Sequence, residues 1–231
     1  MNPRRPEGSA SSARPGLPLR WAGAAILAWG KFRALCVRQY WLGRFGQAGR
    51  RISIGARLRV HGPERIRVED DVVLADDVAL QALESYPWAS PPQAFAPDIV
   101  LKRGCFINSG ARISCARRVV VGADTMIAVG CFIADNNHAY ADPDRSVKAQ
   151  PLQTPGEVVI GDDCWLGANV CVVGNVHIGR HCVVGANSVV TGDLPEYSVA
   201  VGAPARVVRR YDPGRRAWLA VSGAETRAEG G

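Results

Sequence analysis

The chain has 231 residues, of which 47% are hydrophobic and 7% aromatic, and a formal net charge of +7. The excess charge belongs to one end, because residues 1–51 hold ten Lys and Arg against one acidic residue, whereas residues 52–231 hold eighteen against twenty. The length suffices for a real core, and the main body has a slight excess of acidic residues, so we expect no nucleic-acid partner.

The N-terminal part divides into two segments. Residues 1–20 are rich in Arg, Pro, Ser and Gly, which predicts a disordered basic tail. Residues 21–50 place aromatic and apolar side chains at helical spacing and are predicted to be a helical segment. Its longest apolar run, Trp21–Trp29, is too short to span a bilayer. Lys31 and Arg33 stand where a signal peptide would have small residues, so we expect a cytoplasmic protein.

This helical segment has two interpretations, which are compatible with each other. Repeat proteins need a cap on the open end of their core, and the segment directly precedes the repeats. Several Arg and Trp side chains along it would also suit peripheral contact with an anionic membrane, such as the inner face of the cell membrane.

The central part of the chain is organised by a six-residue repeat. An aliphatic residue returns at every sixth position, as Ile160, Leu166, Val172, Ile178, Val184 and Val190. Glycine follows four of these six residues. Six is a multiple of the strand period of two, so each step fits a short strand plus a turn, and three steps make one coil. We predict an all-β fold, a parallel β-helix of hexapeptide repeats, over residues 51–208.

The same pattern continues upstream in shorter runs. These runs are Ile54 and Val60; Val68, Leu74 and Leu80; Leu101, Ile107 and Ile113; and Val121, Ile127 and Ile133. The phase slips between runs, as from Ile113 to Val121, and each slip is interpreted as a longer corner.

Two proline-containing stretches interrupt the coil. Residues 81–98 and 134–157 are predicted to be extruded loops, and long loops in compact domains are often functional. Beyond the coil, Ala205–Tyr211 is expected to pack on the last repeat as a short strand or helix, at the start of a C-terminal tail, residues 209–231.

One histidine stands out by its position. His138 closes the sequence Asp135-Asn136-Asn137-His138 at the root of the second loop, where a coil meets its loop. Histidine is the commonest general base near neutral pH, so His138 is the candidate base, and Asp135 is a candidate to fix its tautomer. The alternative is an exposed loop histidine without a role.

Metal and thiol chemistry are the other possibilities raised by the residues. His177 and His181 flank one corner, and with a third histidine from a neighbouring subunit they could bind zinc, although no acidic residue stands beside them at ligand-like spacing. Cys105, Cys131 and Cys164 occupy a small inward slot of the repeat, as does Cys182. Inward cysteines behave as small hydrophobic residues, so we expect reduced thiols, no covalent nucleophile and no metal.

At this point the chain resembles a known family. The motifs are residues 159–169 (Val-Ile-Gly-Asp-Asp-Cys-Trp-Leu-Gly-Ala-Asn), 184–191 (Val-Gly-Ala-Asn-Ser-Val-Val-Thr) and 201–208 (Val-Gly-Ala-Pro-Ala-Arg-Val-Val). They are similar to the left-handed β-helix, hexapeptide-repeat acyltransferases, in particular the sugar and polysaccharide O-acetyltransferases of the maltose, galactoside and lipopolysaccharide type. The resemblance covers roughly residues 100–212.

The resemblance implies a left-handed coil, a homotrimer with active sites between subunits, and acetyl-CoA in the groove. It implies His138 as catalytic base and Asn108 as an active-site residue. The implied cofactor-binding residues are Trp165, Ala168, Ala186, Thr191, Ala203 and Arg206. The chain departs from the pattern at Gly192, where relatives often have Lys, so that a phosphate contact is either lost or supplied by Arg206 or Arg209.

The sequence therefore predicts an acetyl-CoA-dependent O-acetyltransferase that acts on a sugar or glycan in bacterial polysaccharide or lipopolysaccharide biosynthesis. One alternative is an acetyltransferase for an amino acid, an amino sugar or an antibiotic. Alternatives of another class are a zinc-dependent protein of the γ-carbonic-anhydrase kind and a non-catalytic β-helix assembly subunit.

Overall fold

The computed structural model describes residues 35–221, together with Trp29 and Phe32, which are both helical. The expectations for residues 1–28 and 222–231 lie outside the described residues. A helix, α1, covers residues 35–42, and 3₁₀ turns cover Pro63–Arg65 and Val147–Ala149. The strands in chain order are β1 (Gln47–Ala48), β2 (Ser53–Ile54), β3 (Arg59–His61), β4 (Ile66–Val68), β5 (Val73–Leu74), β6 (Ala79–Ala82), β7 (Ser85–Tyr86), β8 (Gln93–Ala94), β9 (Asp98–Leu101), β10 (Phe106–Ile107), β11 (Arg112–Cys115), β12 (Arg118–Val121), β13 (Met126–Ile127), β14 (Phe132–Ala134), β15 (Asn137–His138), β16 (Leu152–Gln153), β17 (Val158–Ile160), β18 (Trp165–Leu166), β19 (Cys171–Val173), β20 (Val176–Ile178), β21 (Val183–Val184), β22 (Val189–Val190), β23 (Ser198–Gly202), β24 (Ala205–Asp212) and β25 (Ala217–Ala220).

Three parallel sheets wrap around one core. The first sheet has the order β1-β4-β9-β12-β17-β20, the second begins β2-β5-β10-β13-β18-β21-β23, and the third is β3-β6-β11-β14-β19-β22. From β1 to β22, apart from the loops, successive strands enter the first, second and third sheet in turn. Each of them pairs in parallel with its equivalent one coil away, as Ile127 does with Leu166. The predicted parallel β-helix is therefore confirmed.

The core contains the aliphatic residues that set the six-residue repeat. Leu74, Ile107, Ile127 and Leu166 belong to one such row and have at most 1% of their surface exposed. The small slot is also inward, since Cys105, Ala111, Thr125, Cys131, Cys164, Val170, Cys182 and Ser188 are all buried. Stacked coils thus share one continuous apolar interior, which is what makes so narrow a fold stable.

The corners of the coil have tight backbone geometry. Asp124, Asp163, Asn169 and Asn187 occupy corner positions with positive φ, which Asp and Asn tolerate better than most residues. A Cβ added to Gly167 would lie 2.7 Å from the backbone nitrogen of Ala186 in the next coil. Where glycine follows the inward aliphatic residue, as at Gly167, it therefore allows the coils to stack closely.

Helix α1 covers the open end of the coil. Val37, Trp41 and Leu42 pack against the core, and Arg38 Nε donates a hydrogen bond to Ile52 O over 2.8 Å. The helix ends before β1, which already pairs with β4, so that the coil begins at Gln47, earlier than the predicted boundary at residue 51. Within the described residues, no helix has both the length and the apolar character needed to cross a membrane.

The C-terminal part closes the other end of the coil. Strand β24 contains the predicted segment Ala205–Tyr211 and pairs antiparallel with β23 and β25. This hairpin extends the second sheet, and its strand β25 lies within the predicted C-terminal tail. Trp218 of β25 stacks on His181, with 6.2 Å between the ring centroids. The aromatic contact fixes the hairpin against the last coil.

Both predicted loops leave the coil after strands of the third sheet. The first loop, residues 83–97, follows β6 and contains the antiparallel pair β7 and β8. The second loop, residues 135–157, follows β14 and contains the antiparallel pair β15 and β16. The phase slip at Ile113 corresponds to the corner between β11 and β12, as expected.

Candidate active site

His138 lies on β15, in the second loop, and its ring is exposed. The backbone of His138 is paired with that of Leu152 on β16, and the side chain of Leu152 is buried. The histidine is therefore fixed by a short hairpin instead of standing on a free loop. This placement agrees with the prediction of an imidazole where the coil meets its loop.

The two loops pack against each other to form one unit, which we call the loop module (residues 83–97 and 135–157). Tyr86, Ala89 and Leu152 form a small apolar cluster that is separate from the main core. The Gln93 side chain clamps Leu152, because its Nε2 donates to Leu152 O over 3.0 Å and its Oε1 accepts from Leu152 N over 2.7 Å. Arg145 Nη2 also donates to Ser90 O, over 3.4 Å.

Tyr86 connects the first loop directly to His138. The tyrosine is 7% exposed, and its ring lies edge-on to the imidazole with 5.5 Å between centroids. Its Oη lies 3.4 Å from His138 Nδ1 and donates a hydrogen bond to Lys148 O over 2.7 Å. The sequence analysis missed Tyr86 and Gln93, because nothing in their spacing indicates which residues of the other loop they meet.

Asp135 does not orient His138, and the suggestion that it fixes the tautomer was wrong. Its carboxylate is fully buried and accepts hydrogen bonds from the backbone N–H groups of Ala116, Arg117 and Arg118 over 2.7–2.8 Å. The long corner between β11 and β12 leaves these three donors without strand partners, and the carboxylate satisfies them. The phase slip at Ile113 was the available signal for this role.

Asn108 follows β10, at the turn that leads from the second sheet to the third. Its backbone N–H donates to Ile127 O over 2.9 Å, and its side-chain Oδ1 accepts from Ser109 N over 2.7 Å. Because Oδ1 is engaged, the half-buried side chain presents its Nδ2 group as a donor. A fixed amide donor suits the stabilisation of a developing negative charge.

Trp165 stands on the outer face of the second sheet, and half of its surface (50%) is exposed. It pairs with Met126 on one side and Val183 on the other, and Met126 is also exposed. The outer face of this sheet therefore carries an apolar row beside the turns that follow it. A row of this kind can cover the apolar part of a long, thin ligand.

The corner between the second and third sheets holds most of the predicted cofactor residues. Ala168 and Ala186 lie on stacked turns there, since Asn187 N donates to Ala168 O over 2.9 Å. The turn between β23 and β24, which contains Ala203, is tied to the same corner by a 3.0 Å hydrogen bond from Gly202 N to Ser188 Oγ. Arg206 is exposed and lies at the start of β24, directly after this turn.

The described chain separates the predicted site residues into two groups. Asn108, Trp165, Ala168, Ala186, Ala203 and Arg206 lie on the second sheet or at the corner where it meets the third. His138 and Thr191 lie past the other end of the third-sheet strands, since they follow the C-terminal ends of β14 and β22. A single copy of the chain does not bring Asn108 and His138 together.

His177 and His181 have separate carboxylate partners. His177 Nε2 lies 3.4 Å from Glu157 Oε1, and His181 Nδ1 lies 2.6 Å from Asp163 Oδ2. Both acids lie on the neighbouring coil, 20 and 18 residues away in the chain, so they are not adjacent to the histidines in the sequence. Within residues 35–221 no group of three or more His, Cys, Asp and Glu side chains is arranged to hold a metal ion.

Burial holds three of the buried cysteines, Cys105, Cys115 and Cys131, in their protonated form, whereas the hydrogen bond with Cys164 lowers the pKa of Cys182 to about 7. Desolvation raises the pKa of Cys105 to about 12, and it also raises the pKa values of Cys115 and Cys131. The thiolate is the nucleophilic form of cysteine, so these three thiols are inert.

The comparisons with known proteins identify the repeat. The family described as bacterial transferase hexapeptide (six repeats) matches residues 157–192. A putative lipopolysaccharide biosynthesis O-acetyl transferase of Escherichia coli, WbbJ, is 40% identical over 118 residues, which are 48% of this chain and 60% of that protein. A probable acetyltransferase of Mycobacterium tuberculosis is 38% identical over 115 residues, which are 50% of this chain and 36% of that protein.

A solved structure supports the fold. It is that of AntD, an N-acyltransferase from Bacillus cereus, with dTDP and 3-hydroxybutyryl-CoA; it covers 77% of this chain and 89% of its own at 16% identity, with a TM-score of 0.63. The chain therefore carries the hexapeptide repeat of the bacterial transferases on a left-handed β-helix, which confirms the resemblance to the hexapeptide-repeat acyltransferases.

Proposed function

We propose that this protein is an acetyl-CoA-dependent O-acetyltransferase that acetylates a sugar hydroxyl in polysaccharide or lipopolysaccharide biosynthesis. The coarser assignment, an acyltransferase, is supported by the hexapeptide repeat and by two acetyltransferase relatives. The 40% identity to a lipopolysaccharide O-acetyl transferase supports the sugar acceptor. The observation that carries the proposal is an exposed imidazole, that of His138, held by a hairpin at the edge of such a coil.

The chemistry requires a base for a neutral hydroxyl, because the thioester is already activated. In our proposal His138 Nε2 takes the proton of the hydroxyl as its oxygen attacks the thioester carbon. The new C–O bond forms, the C–S bond breaks, and the protonated imidazole returns its proton to the leaving thiolate of CoA. The acyl group passes directly to the acceptor, so no acyl-enzyme is needed.

The separation of the two groups of residues supports an active site built by two copies. We propose a homotrimer in which Asn108 of one copy and His138 of the next face the same substrate. Asn108 Nδ2 would donate to the oxyanion, and the corner with Ala168 and Ala186 would hold the pantetheine against small side chains. Arg206 would bind a phosphate of CoA through its forked donors.

The shared site has its own test, which uses two inactive variants. Separate Asn108→Ala and His138→Ala preparations should both be inactive, whereas co-expression of the two should restore part of the activity, since some interfaces then carry both native residues. Failure of the mixture to exceed its components would contradict a site shared between copies.

The activity itself is tested by CoA release from acetyl-CoA with a panel of nucleotide sugars, glycans, amino sugars and amino acids. We expect acceptor-dependent release with a hydroxyl acceptor, and a loss of about 10²–10⁴-fold in His138→Ala. His61→Ala is the matched control, because His61 is exposed on the third sheet, on β3, outside the loop module. Its activity should equal that of the wild type.

Other outcomes of this assay would redirect or overturn the proposal. Release only with amine acceptors, and an amide product, would make the protein an N-acetyltransferase. Absence of both release and acetyl-CoA binding by calorimetry would refute the acyltransferase assignment and leave a zinc-dependent protein of the γ-carbonic-anhydrase kind or an assembly subunit.

Helix α1 and the two described residues before it motivate a second element of the proposal, peripheral contact with the cytoplasmic face of an anionic membrane. Trp29, Phe32 and Leu35 are exposed, whereas Val37, Trp41 and Leu42 pack against the core. Exposed apolar residues on a basic segment suit the membrane interface. We expect the full chain to sediment with anionic liposomes at low salt, and Trp29→Ser with Phe32→Ser to weaken this. No sedimentation of the wild type would rule the contact out.

A further inference from the structure

We propose that Tyr86 is a positioning residue that sets the tautomer of His138, so that the first loop controls the base carried by the second. The inference rests on the proposed function in so far as His138 is the base. The contacts of Tyr86 with His138 and Lys148 do not depend on that function. The Tyr86 hydroxyl has one proton, which it donates to Lys148 O over 2.7 Å. Towards His138 Nδ1, 3.4 Å away, the hydroxyl oxygen therefore acts as an acceptor.

An acceptor at this place requires the neutral imidazole to carry its proton on Nδ1. The tautomer of a histidine is set by the hydrogen bond that the other ring nitrogen makes. With Nδ1 protonated, Nε2 has a lone pair, which is the form that a base needs. An unconstrained histidine in water favours the opposite tautomer, with the proton on Nε2, so the hydroxyl corrects an intrinsic preference.

The loop module holds this arrangement in place. The Tyr86 ring is buried in the cluster with Ala89 and Leu152, and its edge lies against the imidazole. The backbone of His138 is fixed by its pairing with Leu152, and Gln93 clamps Leu152 from the other side. The apolar cluster and the strand pairing therefore anchor both partners of the Tyr86–His138 contact to Leu152. The hydrogen bonds of the Gln93 side chain, which go to Leu152 and not to either partner, add stability to the module.

The test is the Tyr86→Phe variant, which keeps the ring and removes only the hydroxyl. Long-range ¹H–¹⁵N spectra of ¹⁵N-histidine-labelled protein distinguish the two tautomers, and the signal that is missing in His138→Ala identifies His138. At about pH 8.5, where an ordinary imidazole is neutral, we expect the proton on Nδ1 in the wild type and mainly on Nε2 in Tyr86→Phe. We also expect kcat to fall about tenfold, while the KM for acetyl-CoA stays unchanged.

Two further variants separate positioning from a merely structural role. Tyr140→Phe removes an exposed tyrosine hydroxyl from the second loop and should change neither the spectrum nor kcat. Gln93→Ala breaks the clamp but leaves the Tyr86 hydroxyl, so the proton should stay on Nδ1 even if the module loses stability. A Tyr86→Phe spectrum like that of the wild type, or an equal tautomer shift in Gln93→Ala, would overturn the inference.

Failure of the proposed function has a different signature. If the wild type transfers no acyl group and yet the His138 tautomer follows Tyr86, the positioning inference stands and the acyltransferase assignment falls.

Discussion

The coil and the loop module are held together by different forces. Inside the coil, aliphatic side chains such as Ile127 and Leu166 have none of their surface exposed, and each repeat buries the next. The loop module has a cluster of only three buried residues. Hydrogen bonds such as those of the Gln93 clamp supply the rest of its stabilisation. The coil is stabilised by apolar burial over its whole length, whereas the module depends on a few directional contacts.

This difference implies that stability and chemistry can be changed separately. Regions with few buried apolar contacts open locally at lower free energy than the core does. The candidate base lies in such a region, and the rigid coil beside it fixes where the loops begin and end. Variants in the coil should therefore change global unfolding, and variants in the module should change turnover.

The largest effect on stability is expected from Leu166→Ala. Leu166 is fully buried between Ile127 and Val184, and loss of a buried leucine side chain costs about 2–5 kcal/mol. Urea denaturation followed by circular dichroism would measure this loss. The matched control is Trp165→Ala, because Trp165 is the preceding residue and points outward. Equal destabilisation by the two substitutions would contradict the proposed division between inner and outer faces.

Asp135→Asn tests the junction between the two regions. An amide keeps the shape of the side chain but brings N–H groups towards the N–H donors of residues 116–118, so at least one of them loses its acceptor. We expect a destabilisation of about 1–3 kcal/mol, with faster hydrogen exchange at those three amides. Asp144→Asn, in an exposed turn of the second loop, is the control and should leave both measurements unchanged. An unchanged exchange rate in Asp135→Asn would show that the carboxylate is dispensable.

The coil could be predicted from the sequence because each of its contacts repeats. The spacing of Ile160, Leu166 and Val172 defines the inward face, and the same spacing upstream extends it. The loop module has no period, and the partners of Tyr86 lie 52 and 62 residues away, at His138 and Lys148. The role of Asp135 was hidden for a related reason, since its neighbours in the chain do not reveal which backbone donors lie within reach.

The site residues also divide into those that the repeat predicts and those that it does not. The corner positions Ala168 and Ala186 follow from the repeat, and the structure stacks them as a repeat must. Asn108 was predicted through resemblance alone, whereas His138 was predicted first from its position at the root of the second loop. The coil places them at opposite ends of the third-sheet strands. In the proposed homotrimer they meet across two copies, and the repeat of one chain does not predict such a contact.

A smaller effect is expected from Trp88→Ala, in the first loop. Trp88 is 58% exposed, lies edge-on to Tyr86, and has the Lys148 ammonium 5.3 Å from its ring centroid. An exposed aromatic surface near the base suits the apolar face of a sugar ring. We expect the KM for the glycan acceptor to rise roughly three- to tenfold, with the KM for acetyl-CoA and the melting temperature unchanged.

Steady-state kinetics with each substrate varied in turn would check this effect. Trp29→Ala, at another exposed tryptophan that precedes helix α1, is the control. A rise in the KM for acetyl-CoA instead of the acceptor would place Trp88 on the cofactor side of the site.

The smallest effect is expected from the Arg51–Asp71 ion pair on the outside of the coil, where Arg51 Nε lies 2.5 Å from Asp71 Oδ1. The hydrogen bond from Arg51 holds the pKa of Asp71 below its usual value of 3.8. A carboxylate with a lowered pKa in the folded state stabilises the protein above pH 3.8, and this contribution is lost as the pH falls through the lowered pKa. Because the pair is exposed, solvent and salt screen it.

Arg51→Gln should therefore lower the melting temperature slightly at pH 7. The difference from the wild type should shrink below about pH 3.8 and also in high salt at pH 7. Calorimetric scans of both proteins from pH 7 to pH 3 would measure it. A difference that persists in acid would mean that Arg51 acts through packing of its aliphatic stem on the coil, and the outer face would then share in the apolar burial that we assign to the core.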